Sequence, residues 1–329
     1  MLCYSKKKMY MEPRKPDNTV MISIVLTVFN HEKHLARALD SILNQEVDFS
    51  FEILVGDDVS NDESASIVLD YASKHPGIII PIIRESNLGG SKNFTDLFDR
   101  CRGKYITFID GDDFWIDSKK LQTQFDFLEN NTDAFAVSHK VRICDSDGNR
   151  IGMVPGASFN KDQITFKDVL VGKRFALTAT LMRAIDGEVK ATLIDLVEAG
   201  PRNTGDLTIA LFLLDKSAIP ILDNEMSVYC FRSIEGDSNY NSTTSLIDRI
   251  GNRVTLVGIN ERFYAGKYNF ASMYFRLTVS ATRGLIHSKP QDAIELIALI
   301  VKLASLFVKS SLSYGYGKNR SRRQVETNR

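Results

Sequence analysis

Apolar positions in the first third of the chain fall in short continuous runs. Ile22-Ser23-Ile24-Val25-Leu26-Thr27-Val28 is rich in β-branched residues and bounded by polar ones. Such a run suits a parallel strand buried on both faces. Phe51-Glu52-Ile53-Leu54-Val55-Gly56, residues 78–83 and Tyr105-Ile106-Thr107-Phe108-Ile109 repeat the pattern and predict three more strands. Between the runs the spacing becomes helical, with Leu35, Leu39, Ile42 and Leu43, then Val68, Leu69 and Ala72, then Phe94, Leu97, Phe98 and Cys101. Asn30 is placed to cap the first helix, and Ser60-Asn61-Asp62-Glu63 reads as a capping box for the second. Strand and helix alternate, which predicts a doubly wound α/β sheet, because right-handed crossovers put helices on both faces.

Further on, residues 134–143 and 150–154 predict a hairpin turning at Asp147-Gly148. Residues 190–199 and 207–214 have helical patterns, with Asp206 placed to cap the second, and 226–231 predicts another strand. Beyond about Thr244 only helical signals remain. Residues 292–308 are apolar all round apart from a few charges, chiefly Glu295 and Lys302. That stretch is too apolar for an ordinary exposed helix and too charged to span a membrane. Two readings of 290–310 stand open. Its apolar face enters a membrane interface, with Lys302, Lys309 and the Arg-rich tail on anionic headgroups, or it packs on protein, either the catalytic domain or a second subunit. The expected divisions are a flexible N-terminal segment (1–20), an α/β domain (21–240), a helical region (241–312) and a basic disordered tail (313–329).

Composition narrows the function. In 329 residues, 41 Lys and Arg balance 41 Asp and Glu, so no net field draws nucleic acid. Cys3, Cys101, Cys144 and Cys230 form no Cys-x-x-Cys pair, which argues against a zinc site or a disulfide framework and for a reducing compartment. The polar start, with Lys6-Lys7-Lys8, lacks the apolar core of a signal peptide. A cytoplasmic protein is expected, free or at the inner face of the plasma membrane.

Ligands of open α/β sheets bind beyond the carboxyl ends of the strands. Three of the early strands end there in polar residues: Thr27-Val28-Phe29-Asn30, Asp57-Asp58 and Asp110-Gly111-Asp112-Asp113. Carboxylates do not cradle phosphates directly, but Asp110 and Asp112 can hold a hard cation that bridges a diphosphate. EF-hand spacing and a Gly-x-Gly-x-x-Gly fingerprint are both absent. His31 and His34 lack an evident third ligand and read as surface residues. Trp115 either stacks on a sugar ring or packs beneath the acidic turn, and its place beside Asp113 favours the site.

Four ordered segments, residues 22–30, 52–62, 87–93 and 103–115, together resemble the signatures of family 2 glycosyltransferases. The resemblance covers about residues 21–238. It implies a GT-A fold, a Rossmann-like doubly wound mixed sheet, here followed by a C-terminal helical region. It also implies a hexosyltransferase-type enzyme that inverts configuration and uses Mn2+ or Mg2+. Residue by residue, Thr27, Asn30 and Asp58 match the nucleoside pocket, with Asp58 the partner of the base. Asp110 and Asp112 match the Asp-x-Asp motif, Asp112 being the closer metal ligand. Lys92 falls where relatives often have an arginine near the donor. Asp206 resembles the catalytic base. Residues 229–238 resemble a closing loop in which Ile234 replaces a histidine common in relatives.

The processive motif Gln-x-x-Arg-Trp is missing, so a single sugar is transferred. The donor implied is a nucleotide sugar, UDP-linked by preference, and the acceptor a saccharide or lipid-linked saccharide of bacterial surface polysaccharide. Two other functions compete. A sugar-nucleotide nucleotidyltransferase would need a Gly-rich loop after the first strand, and residues 27–32 contain no glycine. A non-catalytic nucleotide-sugar-binding subunit would be expected to lack Asp112 or Asp206, and both are present.

Overall fold

The computed structural model describes residues 20–145, 149–154, 162–173, 175–201, 205–230, 245–286 and 290–327, with backbone alone for 290–291, 313 and 315–327. Strands β1 (Ile22–Val28), β2 (Phe51–Asp57), β3 (Ile79–Ile83) and β4 (Tyr105–Asp110) lie parallel in the spatial order β3-β2-β1-β4. Helices α1 (Leu35–Leu43), α2 (Ser64–Lys74) and α3 (Gly90–Arg100) connect them. All seven elements follow the expected pattern.

The chain continues through β5 (Phe114–Trp115), α4 (Lys120–Asn130), β6 (Ala136–Cys144), β7 (Arg150–Val154), β8 (Gln163–Ile164) and α5 (Phe166–Leu170). A short 3-10 turn (Leu177–Ala179), β9 (Leu181–Arg183), α6 (Gly187–Glu198), α7 (Asp206–Lys216) and β10 (Ile219–Cys230) complete the α/β part. The sheet extends as β4-β9-β6-β10-β5, with β9 antiparallel to both β4 and β6. β6 and β7 form the expected antiparallel pair, and their turn at Asp147-Gly148 lies outside the described residues.

The continuous apolar runs are buried almost throughout, and alternate side chains join different cores. Ile22, Ile24, Leu26 and Val28 join Ile53, Val55, Leu35 and Leu39 in one core, while Val25, Leu54 and Phe108 join Phe98 in the other. Successive side chains of a strand point to opposite faces, so each run feeds two cores.

A buried clasp fastens the amino end of the sheet. Glu52 accepts from Ser23 Oγ at 2.7 Å and from Arg102 Nε at 2.8 Å, and Gly103 N donates to Ser23 Oγ at 2.8 Å. A Cβ on Gly103 would come within 2.5 Å of Ser23 N, so the close approach requires glycine.

Among the described residues three helices follow: α8 (Leu246–Phe263), α9 (Ala271–Ile286) and α10 (Pro290–Thr327). They share a core with the sheet. Val254, Val257, Tyr274, Leu296 and Leu303 belong to the same buried cluster as Val25, Phe98 and Ile209. Phe166 of α5 stacks on Tyr268 with ring centroids 3.5 Å apart.

Three local expectations are corrected. Asn30 does not cap α1, which starts at Leu35; it takes a left-handed φ of 58° and its Oδ1 accepts from Asn61 N at 2.8 Å. Ser60 does not open a capping box, because its hydroxyl bonds Asp57 Oδ2 at 2.5 Å and α2 begins only at Ser64. Long-range bonds between the two loops satisfy these polar groups instead. The backbone of α10 runs on to Thr327, through the basic stretch expected to be disordered. Extending an existing helix fixes one residue per added hydrogen bond and avoids the cost of nucleation.

Candidate active site

β1, β2 and β4 end side by side, so their terminal residues meet in one crevice. Thr27 pairs in register with Asp110, and its hydroxyl donates to the Asp110 carboxylate. Gly111 N donates to Thr27 O at 2.9 Å, and Asp113 N to Asp110 O at 2.9 Å, which closes the turn carrying Asp110 and Asp112. The buried Asp113 belongs to the frame of the site, since its Oδ1 accepts from Cys230 N at 3.1 Å and ties the turn to β10.

The carboxylates of the crevice act on one another. Asp110 touches solvent on the crevice floor but is walled in by protein. Burial, then the charges of Asp112 and Asp206, push its carboxyl up to about 7, against the opposing bond from Thr27. Asp206 stands at the start of α7. Burial raises its carboxyl too, while its own backbone N–H and the Arg253 guanidinium of α8 act the other way. The residue before it, Gly205, occupies the cap position, and no side chain caps α7. The capping role expected for Asp206 is therefore absent, and its carboxylate, open to solvent but flanked by protein, is near enough for its charge to act on Asp110.

Tyr229, near the end of β10, marks where the acidic groups converge. Burial and the charges of Asp113, Asp112, Asp110 and Asp206 all raise its phenol well above the usual range. Sequence reasoning gave Tyr229 no role of its own; its place one residue before the end of β10 was the available signal. His31 is a second residue passed over. A Cβ on Gly111 would lie 2.6 Å from His31 Nδ1, so this ring rests directly on the acidic turn.

The remaining expected residues sit around the crevice. Asp58, at the end of β2, accepts from Leu88 N at 2.6 Å and Gly89 N at 2.7 Å, while Asn87 Nδ2 donates to its carbonyl at 2.7 Å. Its carboxylate thus holds the loop that leads into α3. Asn30 N donates to Ser60 Oγ at 2.9 Å, which joins the loops after β1 and β2. Val59 in the second loop has a φ of 65°, a left-handed strain unusual for a β-branched residue. Lys92 is exposed in the first turn of α3. Its neighbour Ser91 has Oγ 3.8 Å from where a Cβ on Gly205 would stand, so this helix end faces the start of α7.

Trp115 is a correction. It is 4% exposed, with the Lys120 ammonium 4.0 Å from its ring centroid, and it belongs to the core below the turn. Pairing of β5 with β10 turns the indole inward, away from any bound sugar. The closing-loop residues Arg232, Ile234, Glu235, Gly236, Asp237 and Ser238 lie outside the described residues, as do Asn203 and Thr204.

Comparison with known proteins agrees with this architecture. Residues 23–181 match the family described as Glycosyl transferase family 2. An uncharacterized glycosyltransferase of Methanocaldococcus jannaschii is 33% identical over 151 residues, 45% of this chain and 49% of that protein. The poly(ribitol-phosphate) beta-glucosyltransferase of Bacillus spizizenii is 36% identical over 112 residues, 33% of this chain and 17% of that protein. The chain thus spans about half the length, or less, of the curated relatives it matches. Among solved structures, residues 1–349 of S. aureus TarS in complex with UDP-GlcNAc share the fold, with a TM-score of 0.64 at 18% identity over 86% of this chain and 80% of that one. On its parallel sheet, its acidic turn at the end of β4 and the family match itself, the segment 23–181 of this chain is a glycosyl transferase family 2 domain.

Proposed function

We propose that the protein transfers a single sugar from a nucleotide-sugar donor to a hydroxyl acceptor with inversion at the anomeric carbon, and that it needs a divalent cation to do so. One observation carries this reading: Thr27 at the end of β1 bonds the carboxylate of Asp110 at the end of β4, and the charges of Asp112 and of Asp206 at the start of α7 act on that same carboxyl. Their mutual repulsion is what a cation would relieve, and an all-oxygen donor set suits Mg2+ or Mn2+. Asp112 and Asp110 would hold the cation, and the diphosphate oxygens would complete its coordination. The bound cation would neutralise the charge of the departing nucleoside diphosphate.

The chain's own residues supply the rest. Thr27 holds the Asp110 carboxylate in place, and Asp58 holds the loop after β3 as a wall of the nucleoside pocket, with Asn30 on the loop after β1 and Lys92 in the first turn of α3. Asp206 accepts the proton of the acceptor hydroxyl as its oxygen attacks the anomeric carbon. The bond from that carbon to the diphosphate breaks on the far face, so configuration inverts in one displacement. Burial, which raises the Asp206 carboxyl, improves it as a base.

The TarS complex contains UDP-GlcNAc, which supports a UDP-sugar donor here. The Bacillus spizizenii relative is named for glucosylating poly(ribitol phosphate), which supports a surface polysaccharide or its lipid-linked precursor as the acceptor. Free thiols at Cys101, Cys144 and Cys230 fit a cytoplasmic setting.

A panel of nucleotide sugars, scored by released nucleoside diphosphate with and without chelator, tests the proposal. Metal-dependent release that falls by about a hundredfold or more in Asp206→Asn, with donor binding retained, is the expected result. Donor binding without release in the parental protein, whatever acceptor is offered, would mean a binding subunit. Pyrophosphate exchange would mean a nucleotidyltransferase.

A further inference from the structure

α10 has two apolar faces, and the fold uses one. Leu296 and Leu303, seven residues apart, are buried against the rest of the molecule, with Leu299, Ile300 and Leu306 beside them. The opposite face carries Ile294, Ile297, Val301, Val308 and Leu312, all exposed, Ile294 by 75% and Leu312 by 68%. At about 100° per residue these five form one continuous stripe along the helix. Ile286, the last residue of α9, is also exposed, by 73%. Solvent-facing apolar side chains scattered singly are ordinary, but a continuous stripe marks a surface built to be covered.

Charge decides what covers it. Between Glu295 and Glu326 the sequence has no acidic residue and six basic ones: Lys302, Lys309, Lys318, Arg320, Arg322 and Arg323. Lys302 and Lys309 are exposed and flank the apolar stripe on one side. Two copies of this helix packed parallel along the stripe would bring cationic segments together with no carboxylate between 296 and 325 to pair with them, and antiparallel packing would offer Lys309 only Glu295 and leave the basic stretch unpaired. An anionic surface suffers no such repulsion. Among the described residues no helix is long and apolar enough to cross a membrane. A helix with an exposed apolar stripe and basic flanks instead lies in the plane of the interface, its apolar side chains among the acyl chains and its lysines reaching the headgroups.

We propose that the exposed face of α10 docks the protein on a bilayer containing anionic lipid. The helix backbone runs 38 residues from Pro290 to Thr327, about 57 Å at 1.5 Å per residue, so the basic stretch extends the same docking line. This inference rests on the helix alone and is independent of the chemistry assigned to the crevice.

Co-sedimentation of the full chain with vesicles tests it. The protein pellets with vesicles of phosphatidylcholine and phosphatidylglycerol, stays in the supernatant with phosphatidylcholine alone, and is released by high salt. Val301→Glu combined with Val308→Glu lowers the bound fraction by about tenfold. Lys302→Glu combined with Lys309→Glu does likewise. All four positions are exposed, so both double variants keep the parental melting temperature, a readout that does not depend on enzyme activity. Retention in the supernatant with anionic vesicles overturns the proposal, and so does equal binding to neutral vesicles. A concentration-dependent dimer in sedimentation velocity that Val301→Glu dissociates overturns it in favour of a second copy of the chain.

Discussion

Gly111 occupies the centre of the acidic turn because nothing larger fits. Alanine there would drive its Cβ to 2.6 Å from His31 Nδ1, and the ring would have to move with the turn. Gly111→Ala is expected to weaken metal-dependent donor binding by about tenfold, and Gly111→Ala with His31→Ala to recover part of the loss. Calorimetry across the four proteins measures that coupling, and strictly additive effects would show that the contact does not transmit. Below the turn, Lys120 is fully buried over Trp115, its Nζ 2.9 Å from Gln124 Oε1, and burial lowers its ammonium to about 7. Unfolded, this lysine titrates near 10.4. Between about pH 7 and 10 the unfolded chain therefore holds a proton that the folded chain does not, and stability rises with pH. Below pH 7 both states hold it and the contribution is flat. Lys120→Met removes the rise, so the parent should gain up to about 1.4 kcal/mol per pH unit on the variant across that window. Urea unfolding at successive pH values reads the difference. His139 nearby is held down to about 3 by burial and by Lys120, so it stays neutral and adds no slope at these values.

Among the elements, the parallel strands depend on what fastens their amino ends. Glu52 is buried in β2 and reaches both Ser23 of β1 and Arg102 before β4. Removing one partner of such a pair leaves the other charge buried alone, at a cost of about 3–5 kcal/mol. Arg102→Ala is expected to destabilise by that amount in urea unfolding while leaving the crevice chemistry intact, because the clasp and the acidic turn lie at opposite ends of β4. Loss of donor affinity in Arg102→Ala at temperatures where it remains folded would contradict this separation. At the carboxyl ends, loop-to-loop bonds do the fastening. Asn30 and Ser60 look like helix caps in sequence and instead, with Asp57 and Asp58, tie three loops together. Short polar side chains serve both purposes equally well, and only the neighbouring strand determines which donor is within reach.

At the scale of the whole molecule, the helical region completes the core of the α/β part. Tyr264 and Phe270 sit edge-on to Phe166, and Asn260 Nδ2 donates to the buried Thr208 at 3.0 Å, two residues along α7 from Asp206. The Arg253 guanidinium of α8 also acts on Asp206. A chain ending at residue 244 would expose this core, and it is expected to lose cooperative unfolding in calorimetry along with donor binding. A truncation that melted sharply and bound donor would instead establish 21–240 as a domain that folds alone.

The sequence by itself determined β1 to β4, the helices between them and the acidic turn, because each parallel strand is a local apolar run whose burial on both faces leaves a plain signature. The ordered motifs also singled out Thr27, Asp58, Asp110 and Asp112 as candidate site residues, and the wider resemblance singled out Asp206. Only the tertiary structure decided the rest. β8 and β9 are too short for their own period to register and exist by pairing with distant strands. α4 has a buried face that includes Lys120 and Gln124, polar residues whose burial depends on partners elsewhere. Trp115 turned inward because β10 pairs beside it. Tyr229 and His31 reached the site through elements distant in the chain. Local periodicity is written in neighbouring residues, whereas the direction of a side chain at a strand end depends on which strands lie beside it, and a linear pattern does not contain that information.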